Sequence, residues 1–115
     1  GDNVSIVSDI IRGHTDSIIL ASLMEKDSYG YEINKKIKNG SNGMYELNEA
    51  TLYTAFKRLE DSGFITSYWG SEATNARRKY YRITKLGEEC YYRLMDEWQT
   101  SKKIVDKLLS LEGKE

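Results

Sequence analysis

The sequence contains one cysteine, Cys90, and one histidine, His14. A single cysteine excludes an intrachain disulfide framework and fits a reducing compartment. The chain also lacks a phosphate-binding glycine motif and a Ser/His/Asp set. The sequence therefore offers few groups for nucleophilic catalysis or metal binding. His14 has no partners at metal-ligand spacing and is expected to be a surface or capping residue. We therefore expect a protein that is not an enzyme and that binds no metal or cofactor.

Long apolar runs are absent as well. No stretch approaches the ~18 residues of a membrane span, and there is no signal-peptide pattern. These absences predict a cytoplasmic protein with no membrane partner. The 115 residues, 39% hydrophobic and 30% charged, are typical of one globular domain, with or without an appended helix.

The net charge of −1 argues mildly against nucleic-acid binding, but the charges are unevenly distributed. Five basic residues and no acid lie from Arg77 to Lys85, whereas four acids and one arginine lie from Glu88 to Glu97. Segregation of this kind can give one basic face to a protein whose total charge is near zero.

The stretch from Asn48 to Gly63 predicts a short helix with both ends marked. Asn48 is a good N-cap, and Gly63 suits the left-handed residue that follows a helix. One face is apolar and is predicted to be buried: Leu52, Ala55, Phe56 and Leu59. The other face has the small, hydroxylic and basic groups that fit a major groove: Ala50, Thr51, Tyr53, Thr54, Lys57 and Arg58. Taken alone, such a helix is more often a plain surface helix.

Two helices are predicted before this stretch. The first runs from Thr15 to Lys26 and has a wide apolar face. The second runs from Tyr29 to Lys38, with Asp27 or Ser28 as its cap and a basic end that includes Lys35. Residues 39–43 predict a loop, and residues 45–47 a short strand or an extended link. Residues 2–11 have a loose helical spacing of apolar residues and predict an arm or helix that packs on a partner.

After Gly63 the apolar period changes to two. Residues 64–69 and 77–84 predict two strands of a hairpin around a polar loop. Thr84 is then expected to cap a last helix from Lys85 to about Leu111, roughly 40 Å long.

The last helix carries an apolar seam at near-heptad spacing, which consists of Cys90, Leu94, Trp98, Ser101, Val105 and Leu108. A domain of roughly 70 residues cannot cover a stripe of this length. We therefore expect a homodimer held by Cys90, Leu94, Trp98, Val105 and Leu108.

This order of elements predicts an α+β fold, mostly α: a winged helix-turn-helix in residues 1–84 and a C-terminal dimerisation helix in residues 85–115. In such a fold the third helix enters the major groove and the wing lies along the DNA backbone. The residues expected to contact double-stranded DNA are Lys35, Ala50, Thr51, Tyr53, Thr54, Lys57, Arg58, Arg77, Arg78 and Lys79. Two alternatives remain. Either the basic run serves only to keep an exposed strand edge from pairing with another chain, or the fold is a module for protein–protein contact only.

Six stretches carry a resemblance to a known family: Arg12–Asp16, Tyr29–Ile33, Leu47–Tyr53, Lys57–Glu60, Ser67–Gly70 and Arg77–Thr84. Together they resemble the PadR-like transcriptional regulators, in their short-tailed subgroup, and most of all the multidrug-binding LmrR type. The wing tip, Ala73–Ala76, departs from the family because it lacks the glycines often found there.

The resemblance implies homodimers joined through the last helix with help from the first. It also implies repression of detoxification or efflux genes that small molecules relieve, with Trp98 at the place of the tryptophan that flanks planar ligands. The residues themselves leave two interpretations of Trp98 open. A pair of indoles near a dimer axis either packs as interface core or binds a planar aromatic effector.

Overall fold

The computed structural model describes residues 2–70 and 77–110, with side chains from Val7 onward. Three helices come first, interrupted by a very short strand: α1 (Asp2–Arg12), α2 (Thr15–Glu25), β1 (Ser28–Tyr29) and α3 (Gly30–Gly40). The remaining elements are α4 (Glu49–Asp61), β2 (Ile65–Trp69), β3 (Lys79–Ile83) and α5 (Lys85–Leu109). The predicted α+β winged helix-turn-helix with a long last helix is confirmed.

The core lies where α2, α3 and α4 meet the inner face of the sheet. It contains the face of α4 that the sequence predicted, and Phe56 stacks on Tyr81 of β3 with ring centroids 3.9 Å apart. Burial raises the pKa of Tyr81 to about 12, so this phenol stays neutral. The largest side chains that are essentially inaccessible to solvent are Ile19, Leu20, Ile33, Leu52, Phe56, Leu59 and Ile65.

Both ends of α4 form as predicted. The Asn48 side-chain oxygen accepts a hydrogen bond from the backbone N–H of Thr51 at 2.8 Å. Gly63 has φ of +81°, the left-handed conformation that ends the helix. Before the helix, residues 45–48 form an extended link rather than a strand. The Asn34 side chain fixes this link by donating to the Leu47 carbonyl at 2.6 Å and accepting from its N–H at 2.9 Å.

The start of α3 differs from the prediction. Ser28 and Tyr29 pair with Tyr81 and Tyr80 as a third strand, so the sheet order is β1-β3-β2, and Tyr29 occupies the N-cap position of α3 without a capping side-chain hydrogen bond. The expected capping groups are used elsewhere, since the Ser28 hydroxyl donates to Glu32 and the Asp27 carboxylate accepts hydrogen bonds from β2 and β3. The helix also extends two residues further than predicted, to Gly40.

The junction between the sheet and α5 is tightly packed. Thr84 caps α5 as predicted, with its hydroxyl accepting from the Gly87 N–H at 3.0 Å and donating to the Gly63 carbonyl at 2.7 Å. Gly87 is buried, and a Cβ there would lie 2.0 Å from the carbonyl oxygen of Phe64. This close approach fixes the direction in which α5 leaves the sheet.

Among the residues that the structure describes, α5 packs on the core through its first half. Cys90 is buried and Leu94 is half-buried against the core. From Trp98 onward the apolar side chains are exposed, including Ile104, Val105, Leu108 and Leu109. The C-terminal half of α5 therefore presents an uncovered apolar stripe.

Three expectations fall outside the described residues. They concern the path of the wing tip at 71–76, the end of the last helix at Leu111, and the apolar side chains at positions 4 and 6.

Candidate nucleic-acid interface

The outer face of α4 is accessible to solvent along its whole length. Thr51 is half-buried, and the other members of the predicted set are exposed: Ala50, Tyr53, Thr54, Lys57 and Arg58. Since the opposite face fills the core, α4 has the two-sided character that the sequence predicted. Lys57 forms an exposed ion pair with Asp61 at 3.4 Å.

Tyr53 lies against the start of α3. A Cβ on the buried Gly30 would be 2.6 Å from the Tyr53 hydroxyl oxygen, so only glycine lets the phenol take this position. The ring also contacts Phe56 edge-on, with centroids 5.5 Å apart. Tyr53 is thus held in place although its ring is half exposed to solvent.

Arg58 is held by an acid that the sequence analysis did not identify. Its guanidinium donates to the Asp16 carboxylate through Nη2 at 2.5 Å and Nε at 3.4 Å. This hydrogen bond raises the pKa of Arg58 above its already high value. Asp16 lies in the first turn of α2, 42 residues earlier, and no local pattern connects the two positions.

Two polar recesses separate the expected DNA-binding residues. A recess of about 360 Å³ has Ala50, Thr51, Thr54 and Arg58 of α4 on one side. Lys35 lines a different recess, of about 350 Å³, with Tyr31, Asn34, Lys38, Asn39 and Glu46. The structure therefore brings four of the α4 residues to one recess and Lys35 to another, whose Tyr31 and Asn34 also line the recess beside Tyr53.

The wing carries cations that lie over aromatic rings. Arg77 lies 5.1 Å from the ring centroid of Trp69, Arg78 lies 4.7 Å from that of Tyr29, and Lys79 lies 5.8 Å from that of Tyr81. A guanidinium over an aromatic face is attracted by the ring quadrupole yet keeps its N–H donors at the ring edge. The sequence analysis did not predict these cation–ring contacts. In particular, it did not predict β1, which brings the Tyr29 ring beside Arg78.

Arg82, the fourth cation of the wing, is already paired. The Asp27 carboxylate accepts hydrogen bonds from Arg82 Nε at 3.0 Å and from the Tyr68 hydroxyl at 2.5 Å. The hydrogen bond to Asp27 raises the pKa of Tyr68. Arg82 also lies 5.0 Å from the ring centroid of Tyr68, so it differs from Arg77, Arg78 and Lys79 in its ion pair rather than in its aromatic contact.

Trp98 lies at the side of an apolar recess between α2 and α5. The recess has a volume of about 330 Å³ and is lined by His14, Ser17, Ile18, Ala21, Met95 and Trp98. The His14 ring contacts Trp98 edge-on at 4.7 Å between centroids, and Lys102 Nζ is 5.9 Å from the indole. Trp98 itself remains 40% exposed in the single chain.

The described part of the chain contains no cluster of three histidine, cysteine or carboxylate groups that could hold a metal. None of the helices that the structure describes is long and apolar enough to cross a membrane.

Comparison with known proteins gives consistent results. The sequence matches the Transcriptional regulator PadR-like family over residues 19–93. It is 50% identical to "Uncharacterized protein X" of Lysinibacillus sphaericus, over 94% of this chain and 97% of that protein. It is 28% identical to the "Negative transcriptional regulator PadR" of Bacillus subtilis, over 62% of this chain but only 39% of that protein.

Solved structures agree with the sequence matches. A transcriptional regulator from Clostridium thermocellum superposes with a TM-score of 0.82 at 48% identity, covering 90% of this chain and 97% of that one. A PadR family transcription regulator from Clostridium difficile R20291 superposes with a TM-score of 0.75 at 36% identity, covering 84% and 99%. Since the family match spans more than half of the chain and both structures exceed 30% identity, the chain belongs to the PadR-like family of transcriptional regulators.

Proposed function

We propose that the protein is a homodimeric, sequence-specific DNA-binding repressor that acts in the cytoplasm. The main support is that the exposed face of α4 and the cations of the wing lie side by side. The Tyr53 hydroxyl lies against Gly30, and the adjacent Tyr29 lies under the guanidinium of Arg78. The side chains suited to base edges therefore lie next to those suited to phosphates. This arrangement matches a DNA major groove and the sugar–phosphate backbone beside it.

The roles divide along the surface. Thr51, Tyr53, Thr54 and Lys57 would contact base edges or nearby phosphates, and Arg77, Arg78 and Lys79 would contact the backbone. Residues 1–84 would supply the DNA-binding domain and residues 85–115 the dimerisation helix. The exposed stripe on the C-terminal half of α5 supports this division, because a second copy is the simplest cover for it.

The direction and targets of regulation are supported by similarity. The Bacillus subtilis relative is named as a negative regulator, which favours repression. The resemblance to the LmrR type favours detoxification or efflux genes as targets.

Replacing Arg78 with alanine tests the proposed wing contact. One phosphate contact per half-site is lost, so we expect weaker binding to all duplexes and a salt slope smaller by about 1 per half-site. Arg82→Ala is the matched control, because the Arg82 guanidinium already pairs with Asp27 and its loss should leave the slope unchanged. Mobility shifts at several salt concentrations measure both. An unchanged slope in Arg78→Ala would contradict the wing assignment.

The same measurement tests the alternative function. A module for protein–protein contact would not shift the mobility of duplexes that carry inverted repeats from the DNA upstream of its own gene, even at low salt. Failure of the wild-type protein to bind them would favour that alternative.

We further propose that a planar aromatic effector binds beside Trp98 and relieves repression. The recess volume of about 330 Å³ is within the range of small-ligand pockets, and its lining is mainly apolar. An indole offers a large flat face and needs few polar contacts, which suits broad specificity. Effector binding that changes the spacing of the two α4 helices would lower DNA affinity, and DNA would lower effector affinity by the same factor.

Trp98→Ala tests the effector site. Titration with planar cationic dyes should quench tryptophan fluorescence to saturation in a Trp69→Phe background, where Trp98 is the remaining indole. We expect dye affinity to fall at least tenfold when Trp98→Ala is examined by dye anisotropy, and to be largely retained in Trp98→Phe. Equal dye affinity in wild type and Trp98→Ala would leave Trp98 as interface core.

A further inference from the structure

A polar recess lies between the α1–α2 turn and the N-terminal half of α4. Its volume is about 360 Å³, and its lining combines two arginines with three threonines and one alanine: Arg12, Arg58, Thr15, Thr51, Thr54 and Ala50. We propose that this recess binds a phosphate of the DNA backbone and that Arg12 supplies the cation that contacts it. The inference rests on the proposed DNA-binding function and adds a site outside α4 and the wing.

The α1–α2 turn holds Arg12 beside α4. The Thr15 hydroxyl donates a hydrogen bond to the Arg12 carbonyl at 2.7 Å, and Thr15 is itself buried. The overlapping turn one residue earlier is closed by the His14 N–H, which donates to the Ile11 carbonyl at 2.8 Å. The backbone of Arg12 is therefore fixed, while its guanidinium remains exposed at the recess.

The two arginines of the recess differ in their freedom to change partner. Arg58 makes two hydrogen bonds to Asp16, which is half-buried at the start of α2. Among the described side chains, Arg12 forms one ion pair, from Nη1 to Asp9 at 2.5 Å, and both side chains are more than half exposed. Exposed pairs of this kind stabilise a protein little, so exchanging Asp9 for a phosphate costs little. A guanidinium also matches phosphate geometry better than an ammonium does.

The position of the recess identifies its ligand as the DNA backbone. A helix in the major groove, which is about 12 Å wide, has a sugar–phosphate strand on each flank. The recess lies along the flank of α4 that carries Thr51 and Thr54, whose hydroxyls are phosphate-type donors. On the opposite flank, the recess beside Gly30 and Tyr53 is lined by Glu49 and by neither lysine nor arginine, so of these two recesses the one on the α1–α2 side is cationic.

The test compares salt slopes of operator binding among matched variants. Arg12→Gln keeps most of the side-chain length but removes the charge, and we expect its slope to fall by about 1 per half-site. Arg12→Lys should restore the slope. Lys36→Ala is the control, since it removes a cation from a similarly exposed pair, with Glu25, in the groove between α2 and α3. Its slope should equal that of the wild type.

Asp9→Asn provides an independent readout. It frees Arg12 and removes a carboxylate near the phosphate, so we expect about two- to fivefold tighter binding, and a smaller gain when it is combined with Arg12→Gln, where only the loss of the carboxylate acts. Light scattering and thermal unfolding confirm that each variant is folded and assembled as the wild type is. A wild-type slope in Arg12→Gln, with binding otherwise intact, overturns this inference alone. Absence of binding in the wild type overturns the proposed function instead.

Discussion

Val105→Asp combined with Leu108→Asp is expected to give folded monomers that no longer bind operator DNA. Both side chains lie on the exposed half of α5, with 50% and 77% of their surfaces accessible in the single chain. In a dimer they would be covered, and four carboxylates would then lie in an apolar contact without partners. Leu94 is a poorer choice because it packs on the core of its own chain.

Loss of DNA binding follows from loss of the dimer. The two half-sites of an operator lie about 34–36 Å apart, and a dimer can bind both at once. When one subunit is bound, the other is held near the second half-site at a high effective concentration, which a monomer lacks. We therefore expect at least a hundredfold weaker operator binding by mobility shift. Light scattering at micromolar concentration measures assembly, and circular dichroism measures folding.

Gln99→Asp combined with Thr100→Asp is the matched control for this experiment. It adds the same charge to the same helix, at two exposed positions outside the seam. This control should remain dimeric and bind DNA. A monomeric wild type would contradict the proposed dimer, and a Val105/Leu108 variant that stays dimeric would show that the interface lies elsewhere.

Gly87→Ala is expected to be the most destabilising single methyl addition in the chain. The added Cβ would lie 2.0 Å from the Phe64 carbonyl oxygen and 2.7 Å from Ile83 Cγ1. Since the first contact is with backbone, no side-chain rotation relieves it, and α5 must move away from the sheet. We expect a loss of roughly 3 kcal/mol or more in the free energy of unfolding, measured by thermal or urea denaturation at fixed protein concentration.

Gly40→Ala separates the steric effect from a general effect of adding alanine. Gly40 is the last residue of α3, and a Cβ there meets no atom within 4 Å. Removing a glycine from such a position should stabilise the protein by about 0.5 kcal/mol through the unfolded state. A Gly87→Ala protein as stable as the wild type would contradict the packing described at the α5 junction.

The features that the sequence predicted are those set by neighbours along the chain. Asn48 and Gly63 mark the ends of α4 because capping and left-handed turns depend on local chemistry. The buried face of α4 followed from its helical period, and the exposed face followed as its complement.

The missed features involve partners distant in sequence. A two-residue strand at Ser28 has no periodicity of its own and exists only because β3 pairs with it. Asp16 meets Arg58 across 42 residues, and Arg12 meets α4 through the recess, so neither contact has a local signal. The apolar stripe of α5 could be predicted because it depends on the sequence of one helix alone, and its side chains from Trp98 onward are exposed as expected for an unpaired stripe.

The pairing of β1 with β3 also sets a schedule for synthesis of the chain. Tyr29 pairs with Tyr80, so about 50 residues must be made before the first strand meets its partner. At the usual 5–20 residues per second, roughly 3 to 10 seconds separate the two. By the end of that interval the four helices that precede the wing, α1 to α4, have been made, yet until then Phe56 lacks Tyr81, the ring on which it stacks. The nascent helix-turn-helix therefore leaves one face of Phe56, its largest fully buried side chain, uncovered until the wing is complete.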